Sequence, residues 1–289
     1  MHNTHGSVRK HPLVTWLRST YGGGMAHIAV LGTGRMGTAI ATRLVARGHE
    51  VTVWNRTAER ARVAGTHRAA SPAAAAREAE VVITMLTDAK AVEAVLCGPD
   101  GAGGALRPDA RVVEMSTIGP VAVRRLARRL RIVDAPVGGS VGAAAAGNLL
   151  ILAGGAAEDV AAVRPVLDDL GQVRECGPSG TGAALKLVLN TALVTGVTAL
   201  ADTLEVAAAV GVDRTTALDV LAQSALGRTV ERVTGGGAFT VALARKDLNL
   251  AIDALASEPA PVARASADVL ASIVDQEAEL TSLVTKEHP

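Results

Sequence analysis

Aromatic residues are almost absent from this 289-residue chain: Phe239, Tyr21, Trp16 and Trp54 are the whole set. The core must therefore be built from Ala, Val and Leu, whose small side chains favour close backbone packing. Only two cysteines, Cys97 and Cys176, are present. They are too few for a disulfide framework, which a chain of this size does not need, and the reading is a reducing, cytosolic setting. Net charge is lacking as well. The 29 basic and 28 acidic residues balance to +1, so no field is expected that would hold nucleic acid or an anionic membrane, and a small molecule is the expected partner. On sequence no stretch qualifies as a membrane span, because the most apolar run, Leu187 to Ala201, falls short of about 20 residues and is flanked by Lys186 and Asp202. No metal site is expected. The first 24 residues hold Arg9, Lys10, Arg18 and three histidines but no acid. They lack the apolar centre of a signal peptide and read as a disordered tail or an extension upstream of a start at Met25, with a transit peptide as the weaker alternative.

What is present begins with a strand, a glycine turn and a helix. His27 to Leu31 is a short apolar run, followed by Gly32-Thr33-Gly34-Arg35-Met36-Gly37 and a helix carrying Ile40, Leu44 and Val45. The first glycine permits the tight turn, the second lets a pyrophosphate approach the backbone, and the third allows close helix packing. A second strand, Glu50 to Trp54, follows at the distance expected of a dinucleotide-binding unit. At its end an NAD site would carry Asp or Glu; here stand Asn55, Arg56 and Thr57. These are donors suited to a 2′-phosphate, without the carboxylate that would repel it, so the expected cofactor is NADP(H) rather than NAD. The bland alternative is that Arg56 merely opens the next helix in solvent.

Strands then alternate with helices. Val81 to Leu86 precedes Thr87-Asp88 and a helical segment from Ala89 to Leu96; Met85 and Leu86 are expected beside the cofactor or else in the core, and Lys90 is counted with the cofactor-binding residues. Arg111 to Met115 ends at Ser116-Thr117. Arg131 to Asp134 runs into Ala135-Pro136-Val137-Gly138-Gly139-Ser140, whose consecutive amides could form an anion-binding nest. Leu149 to Leu152, a helix over Ala156 to Leu170, and Gln172 to Glu175 complete the sheet. The expected fold is α/β: a doubly wound, Rossmann-type sheet over residues 25–177, joined by a long helix to an all-helical domain over 178–289.

The stretch Gly180 to Asn190, GTGAALKLVLN, opens that long helix, which is expected to reach Val210. Lys186 and Asn190 stand four apart, so one turn puts ammonium and amide on one face. A cation on so apolar a helix must be paired, solvated or used; taken alone, Lys186 could simply cover apolar surface with its stem.

Five segments, Gly32 to Gly37, Ser116 to Pro120, Asp134 to Gly147, Gly180 to Asn190 and Lys246 to Ala251 (KDLNLA), resemble the β-hydroxyacid dehydrogenase family in order and spacing. That family includes 3-hydroxyisobutyrate dehydrogenases and glyoxylate/succinic semialdehyde reductases. The resemblance implies that Lys186 is the catalytic lysine and Asn190 its assistant, that Thr117 lies by cofactor and substrate, and that Lys246 touches the cofactor. It further implies that Asp247 and Phe239 complete the pocket from the helical domain, and that the chain dimerises there. Members commonly read DAPVSGG; here Gly138 replaces that serine, and the substrate carboxylate is expected on backbone amides near Gly138 and Gly139, with Ser140. The implied activity is reduction of a small carboxylated aldehyde, or oxidation of the matching 3-hydroxy acid. The alternatives are an imine reductase, whose members usually carry Asp or Tyr at the position of Lys186, and a catalytically silent nucleotide-binding scaffold.

Overall fold

The computed structural model describes residues 24–235 and 239–285, so apart from Gly24 the expected N-terminal tail lies outside the described residues. The first body is a nine-stranded sheet. β1 (His27–Leu31), β2 (Glu50–Trp54), β3 (His67–Arg68), β4 (Val81–Thr84), β5 (Arg111–Glu114) and β6 (Ile132–Asp134) run parallel in the order 3-2-1-4-5-6. β7 (Val137–Gly138) and β8 (Leu149–Gly154) add antiparallel pairs, and β9 (Gly171–Gly177) lies parallel to β8. The doubly wound expectation holds. The two faces of the sheet are covered by two separate apolar clusters, one centred on Ile40, Leu44 and Ile151 and the other on Leu31, Leu96 and Leu126. Strands β1 and β4 are buried almost throughout, as strands covered on both faces must be. The expected strand ends shift inward by one or two residues: Met85, Leu86 and Met115 lie beyond β4 and β5, in the crevice where the ladder stops.

Helices connect these strands. α1 (Arg35–Ala46) follows β1; α2 (Pro72–Ala76), α3 (Ala89–Cys97), α4 (Pro120–Ala127), α5 (Val141–Ala146) and α6 (Ala157–Asp168) come next in chain order. The chain then enters α7 (Thr181–Ala209), 29 residues long, about 43 Å at 1.5 Å per residue. By length and composition this helix could cross a membrane, which corrects the expectation that no stretch qualifies; 39% of its most apolar window is buried within the molecule. Its start packs on the sheet, and Val194, Val197, Leu200 and Leu204 form the axis of a third apolar cluster. Around that axis lie α8 (Arg214–Leu221), α9 (Gly227–Thr234), α10 (Val241–Ala254), α11 (Pro261–Ser272) and α12 (Ser282–Thr285). α9 was not legible in the sequence: among its eight residues only Val230 and Val233 are buried apolar positions.

Candidate active site

The glycine turn has the shape a dinucleotide requires. Gly32 sits at φ +104°, and a Cβ there would lie 2.3 Å from the Met85 carbonyl oxygen, while one on Gly37 would lie 1.9 Å from that of Gly32. Both positions exclude any larger residue. Gly34 is the opposite case: a Cβ there would meet nothing within 4 Å, so its backbone faces open space at the N-terminus of α1, where amides and helix dipole favour a phosphate. These residues fit a nicotinamide dinucleotide. Around the turn, Asn55 Oδ1 accepts the Thr33 amide at 3.1 Å and Asn55 Nδ2 donates to the Thr57 carbonyl at 3.0 Å, while Thr33 Oγ1 donates to the Arg60 carbonyl at 2.6 Å. Asn55 and Thr33 thus brace the turn itself. Arg56 and Thr57 stay exposed beside it. Arg35 is paired with Glu279 from the C-terminal segment, and Lys90 is exposed on α3 rather than among the residues lining the cleft.

Next to this turn a cleft of about 800 Å³ opens between the sheet and the helices. Its walls bring together Met36, Met85, Leu86, Thr117, Gly138, Gly139, Ser140, Lys186, Asn190, Phe239, Lys246 and Asp247, residues separated by as much as 211 positions in the chain and all singled out in the sequence. One polar chain crosses it. Lys186 Nζ donates to Asn190 Oδ1 at 2.8 Å, and Asn190 Nδ2 donates to Asp247 Oδ2 at 2.5 Å. The Lys246 ammonium pairs with Asp247 Oδ1 at 2.6 Å and also donates to the Thr117 carbonyl. Asn190 and Asp247 are each only 3% exposed, so the lysines are held by groups that have no competing water.

Electrostatics follow from that burial. The Lys186 side chain as a whole is half-buried, but loss of hydration around its ammonium lowers its pKa to about 8, against the opposing pull of Asp247 and with help from Arg232 and Lys246. Burial likewise raises the Asp247 carboxyl, while Lys246 and Lys186 pull it back down. An ammonium in this condition exchanges its proton near neutral pH.

Two carboxylates that the sequence reading assigned no role place these parts. Asp134, the fully buried last residue of β6, accepts the amides of Gly180 and Ala183, each at 2.7 Å. It therefore caps α7 from outside that helix. Gly182 permits the approach, since a Cβ there would lie 2.1 Å from the Leu152 carbonyl oxygen. Beside it in the sheet, Glu114 is opposite Asp134. Glu114 accepts from Thr84 Oγ1 at 2.6 Å and from the Ser116 amide, and Ser116 Oγ in turn accepts the Leu86 amide at 2.8 Å. Burial pushes the Glu114 carboxyl up to about 7. The signal in the sequence was slight: a single carboxylate ending an otherwise apolar strand.

The Gly138-Gly139-Ser140 stretch departs from the expected nest. The Leu152 amide donates to the Pro136 carbonyl, and Gly138 faces Leu150 two residues along the same antiparallel ladder, the position at which such ladders exchange hydrogen bonds again. The Gly138 amide is turned to the sheet rather than the cleft. Ser140 Oγ accepts the Ala143 amide at 3.1 Å as the cap of α5. Sequence reading also overlooked Arg228, Glu231 and Arg232 of α9, which line the cleft from the helical side.

Comparison with known proteins agrees with this fold. The family model for the NAD binding domain of 6-phosphogluconate dehydrogenase matches residues 27–182. The chain is 35% identical to 3-sulfolactaldehyde reductase of Escherichia coli over 266 residues, covering 85% of this chain and 89% of that one. It is 32% identical to 3-hydroxyisobutyrate dehydrogenase of Pseudomonas aeruginosa, covering 79% and 85%. Among solved structures, Mycobacterium tuberculosis 3-hydroxyisobutyrate dehydrogenase with L-serine superposes with a TM-score of 0.78 at 29% identity, over 90% of this chain and 98% of that one. A reductive aminase from Aspergillus terreus in complex with NADPH superposes with a TM-score of 0.61 at 25% identity, over 90% and 99%.

Proposed function

This chain belongs to the β-hydroxyacid dehydrogenase family and is an NAD(P)-dependent oxidoreductase, and from that premise we propose that it is an NADPH-dependent reductase of small aldehydes bearing an acid group, with Lys186 as the proton donor. The observation that carries the reading is the chain from Lys186 through Asn190 and Asp247 to Lys246 and the Thr117 carbonyl, lying across one cleft beside a glycine turn open at Gly34. When bound, the nicotinamide cofactor supplies the hydride. Lys186 Nζ then gives its proton to the carbonyl oxygen as negative charge grows there. Asn190 fixes the ammonium in line, and buried Asp247 holds Asn190 in the orientation that offers its carbonyl to Lys186. In the reverse direction the neutral amine takes the proton from a 3-hydroxy acid.

The preference for NADP(H) rests on the absence of a carboxylate where β2 ends and on exposed Arg56 beside the turn. Supporting homodimerisation through the helical part, 178–289, are exposed Val206, Val210, Val220 and Val262, each more than 60% accessible. Two free cysteines suit a reducing, cytosolic setting.

The experiment is oxidation of NADPH and of NADH with a panel of glyoxylate, succinic semialdehyde, 3-sulfolactaldehyde and a cyclic imine, with 3-hydroxyisobutyrate and NADP⁺ for the reverse reaction. Acid aldehydes should be turned over with NADPH, and Lys186→Ala should lower turnover by about a hundredfold or more while still binding NADPH. Turnover of the imine alone would favour the imine reductase alternative, and no turnover with tight NADPH binding the silent scaffold.

A further inference from the structure

Helix α1 has no acid in its own first turn, and Gly34 offers it no side-chain cap. A negative partner reaches it from the far end of the chain instead. The guanidinium of Arg35, the first residue of α1, pairs with Glu279 Oε1, 244 positions away. Glu279 is fixed by its backbone. It bridges antiparallel to Thr240, the Leu280 amide donates to the Phe239 carbonyl at 2.8 Å, and the amides of Val241 and Ala242 donate to the carbonyls of Ala278 and Gln276, each at 2.9 Å. Residues 276–280 are thereby strapped to the start of α10, beside the cleft wall at Phe239.

The two partners are held unequally. The Arg35 side chain is 64% exposed and that of Glu279 31%, and Glu279 Oε2 is buried with no hydrogen-bond partner among the described residues. The long arginine side chain can swing, whereas the strapped carboxylate stays. We propose that Glu279 is a built-in competitor of the cofactor: it holds Arg35 in the free protein, and the pyrophosphate of the nicotinamide cofactor must take Arg35 from it. The inference rests on the dinucleotide site at Gly32 to Gly37 and not on the identity of the carbonyl substrate.

The physical ground is that two anions meet at one cation. The backbone at Gly34 is open, and the N-terminus of α1 favours a phosphate there. The Glu279 carboxylate stands at the tip of a side chain rooted in the very next residue, so it repels an anion arriving at that seat. Pyrophosphate is the stronger partner, because it carries more charge and its oxygens match the guanidinium fork. Whatever stability the Arg35–Glu279 pair gives the free protein is lost when the cofactor binds, and the cofactor's affinity is lower by that amount. Glu279 therefore weakens cofactor binding and speeds release, the step that a turnover ends on.

The test uses the full chain and its Glu279→Gln, Arg35→Gln and doubly substituted variants, with Glu277→Gln, an exposed carboxylate on the same strap, as the control. Calorimetry gives Kd for NADPH and NADH, and stopped-flow displacement gives their release rates. Glu279→Gln should lower Kd for both cofactors by about threefold to fivefold and slow release to match, while Glu277→Gln leaves both nearly unchanged. Arg35→Gln should raise Kd by about tenfold, and in that background Glu279→Gln should add little. If Arg35→Gln does not fold, Arg35→Lys takes its place and should keep part of the Glu279 effect. A Kd that rises or stays level in Glu279→Gln, an equal fall in Glu277→Gln, or the same fall with and without Arg35 would overturn the proposal. Each of those outcomes leaves the reductase reading intact. Conversely, the expected Kd changes in a protein that turns over no carbonyl would uphold the competition and remove the reductase reading.

Discussion

The carboxylate of Asp134 holds the backbone amide of Ala183 at 2.7 Å, three residues before Lys186. The last residue of a sheet strand thereby fixes where the helix bearing the ammonium begins. Asp134→Ala would leave the amides of Gly180 and Ala183 buried without acceptors, at a cost of about 1–3 kcal/mol per group. Urea unfolding should show a loss of that order, and Asp134→Asn, which retains one acceptor, a smaller one. Equal stability of Asp134→Ala and wild type would remove Asp134 as the anchor.

With Lys186 as the proposed proton donor, its depressed pKa would set the pH profile. Reduction needs the ammonium, so kcat/KM should hold at lower pH and fall as pH rises through about 8. Oxidation needs the free amine and should rise over the same range. Since the Asp247 charge raises the pKa of Lys186, Asp247→Asn should move both limbs to lower pH. A limb that stays in place would show that Asp247 does not act on Lys186 through its charge.

Glu114 should make stability depend on pH in the direction opposite to most carboxylates. Its folded pKa of about 7 lies above the ordinary value of 4.5, chiefly because of burial, with the Asp134 charge also raising it. The folded state therefore holds the proton more tightly. The associated stability is complete below about pH 4.5 and is lost as pH rises through 7, by on the order of 3 kcal/mol. Glu114→Gln, which keeps an acceptor for the Ser116 amide and carries no charge, should flatten the decline relative to wild type in melting experiments between pH 5 and 8. Parallel curves for the two proteins would argue against a protonated Glu114.

Two glycines of the turn should fail in different ways. Gly34→Ala meets no neighbour, so the melting temperature should shift by no more than about 1 °C while NADPH affinity falls about tenfold or more, because the new methyl lies on the open backbone a pyrophosphate must approach. Gly37→Ala forces a methyl to within 1.9 Å of the Gly32 carbonyl and should destabilise by about 2 kcal/mol or more. Thermal shift with and without NADPH separates the two; equal melting temperatures for both variants would contradict this packing.

Local pattern made much of the molecule legible. The alternation of apolar runs with glycine turns fixed the strands and the parallel sheet, since a strand buried on both faces must be continuously apolar. The four-residue interval between Lys186 and Asn190 fixed their shared face, and a glycine pattern following a strand located the tight turn into α1. These are consequences of period and backbone freedom, carried by neighbours in the chain.

Other features required the fold. Asp134 and Ala183 are 49 residues apart and Asn190 and Asp247 are 57, so no window of sequence contains either pair. α9 has too few apolar residues to announce itself, and Arg228, Glu231 and Arg232 come to line the cleft only in the folded chain, where Val230 and Val233 are buried. Gly138 was read as a free amide beside the substrate, yet its donor is taken up by β8, whose partnership with β7 is long-range. Short-range order is written in periodicity; which buried polar group satisfies which is decided only when the chain has closed and water has been driven out from between them.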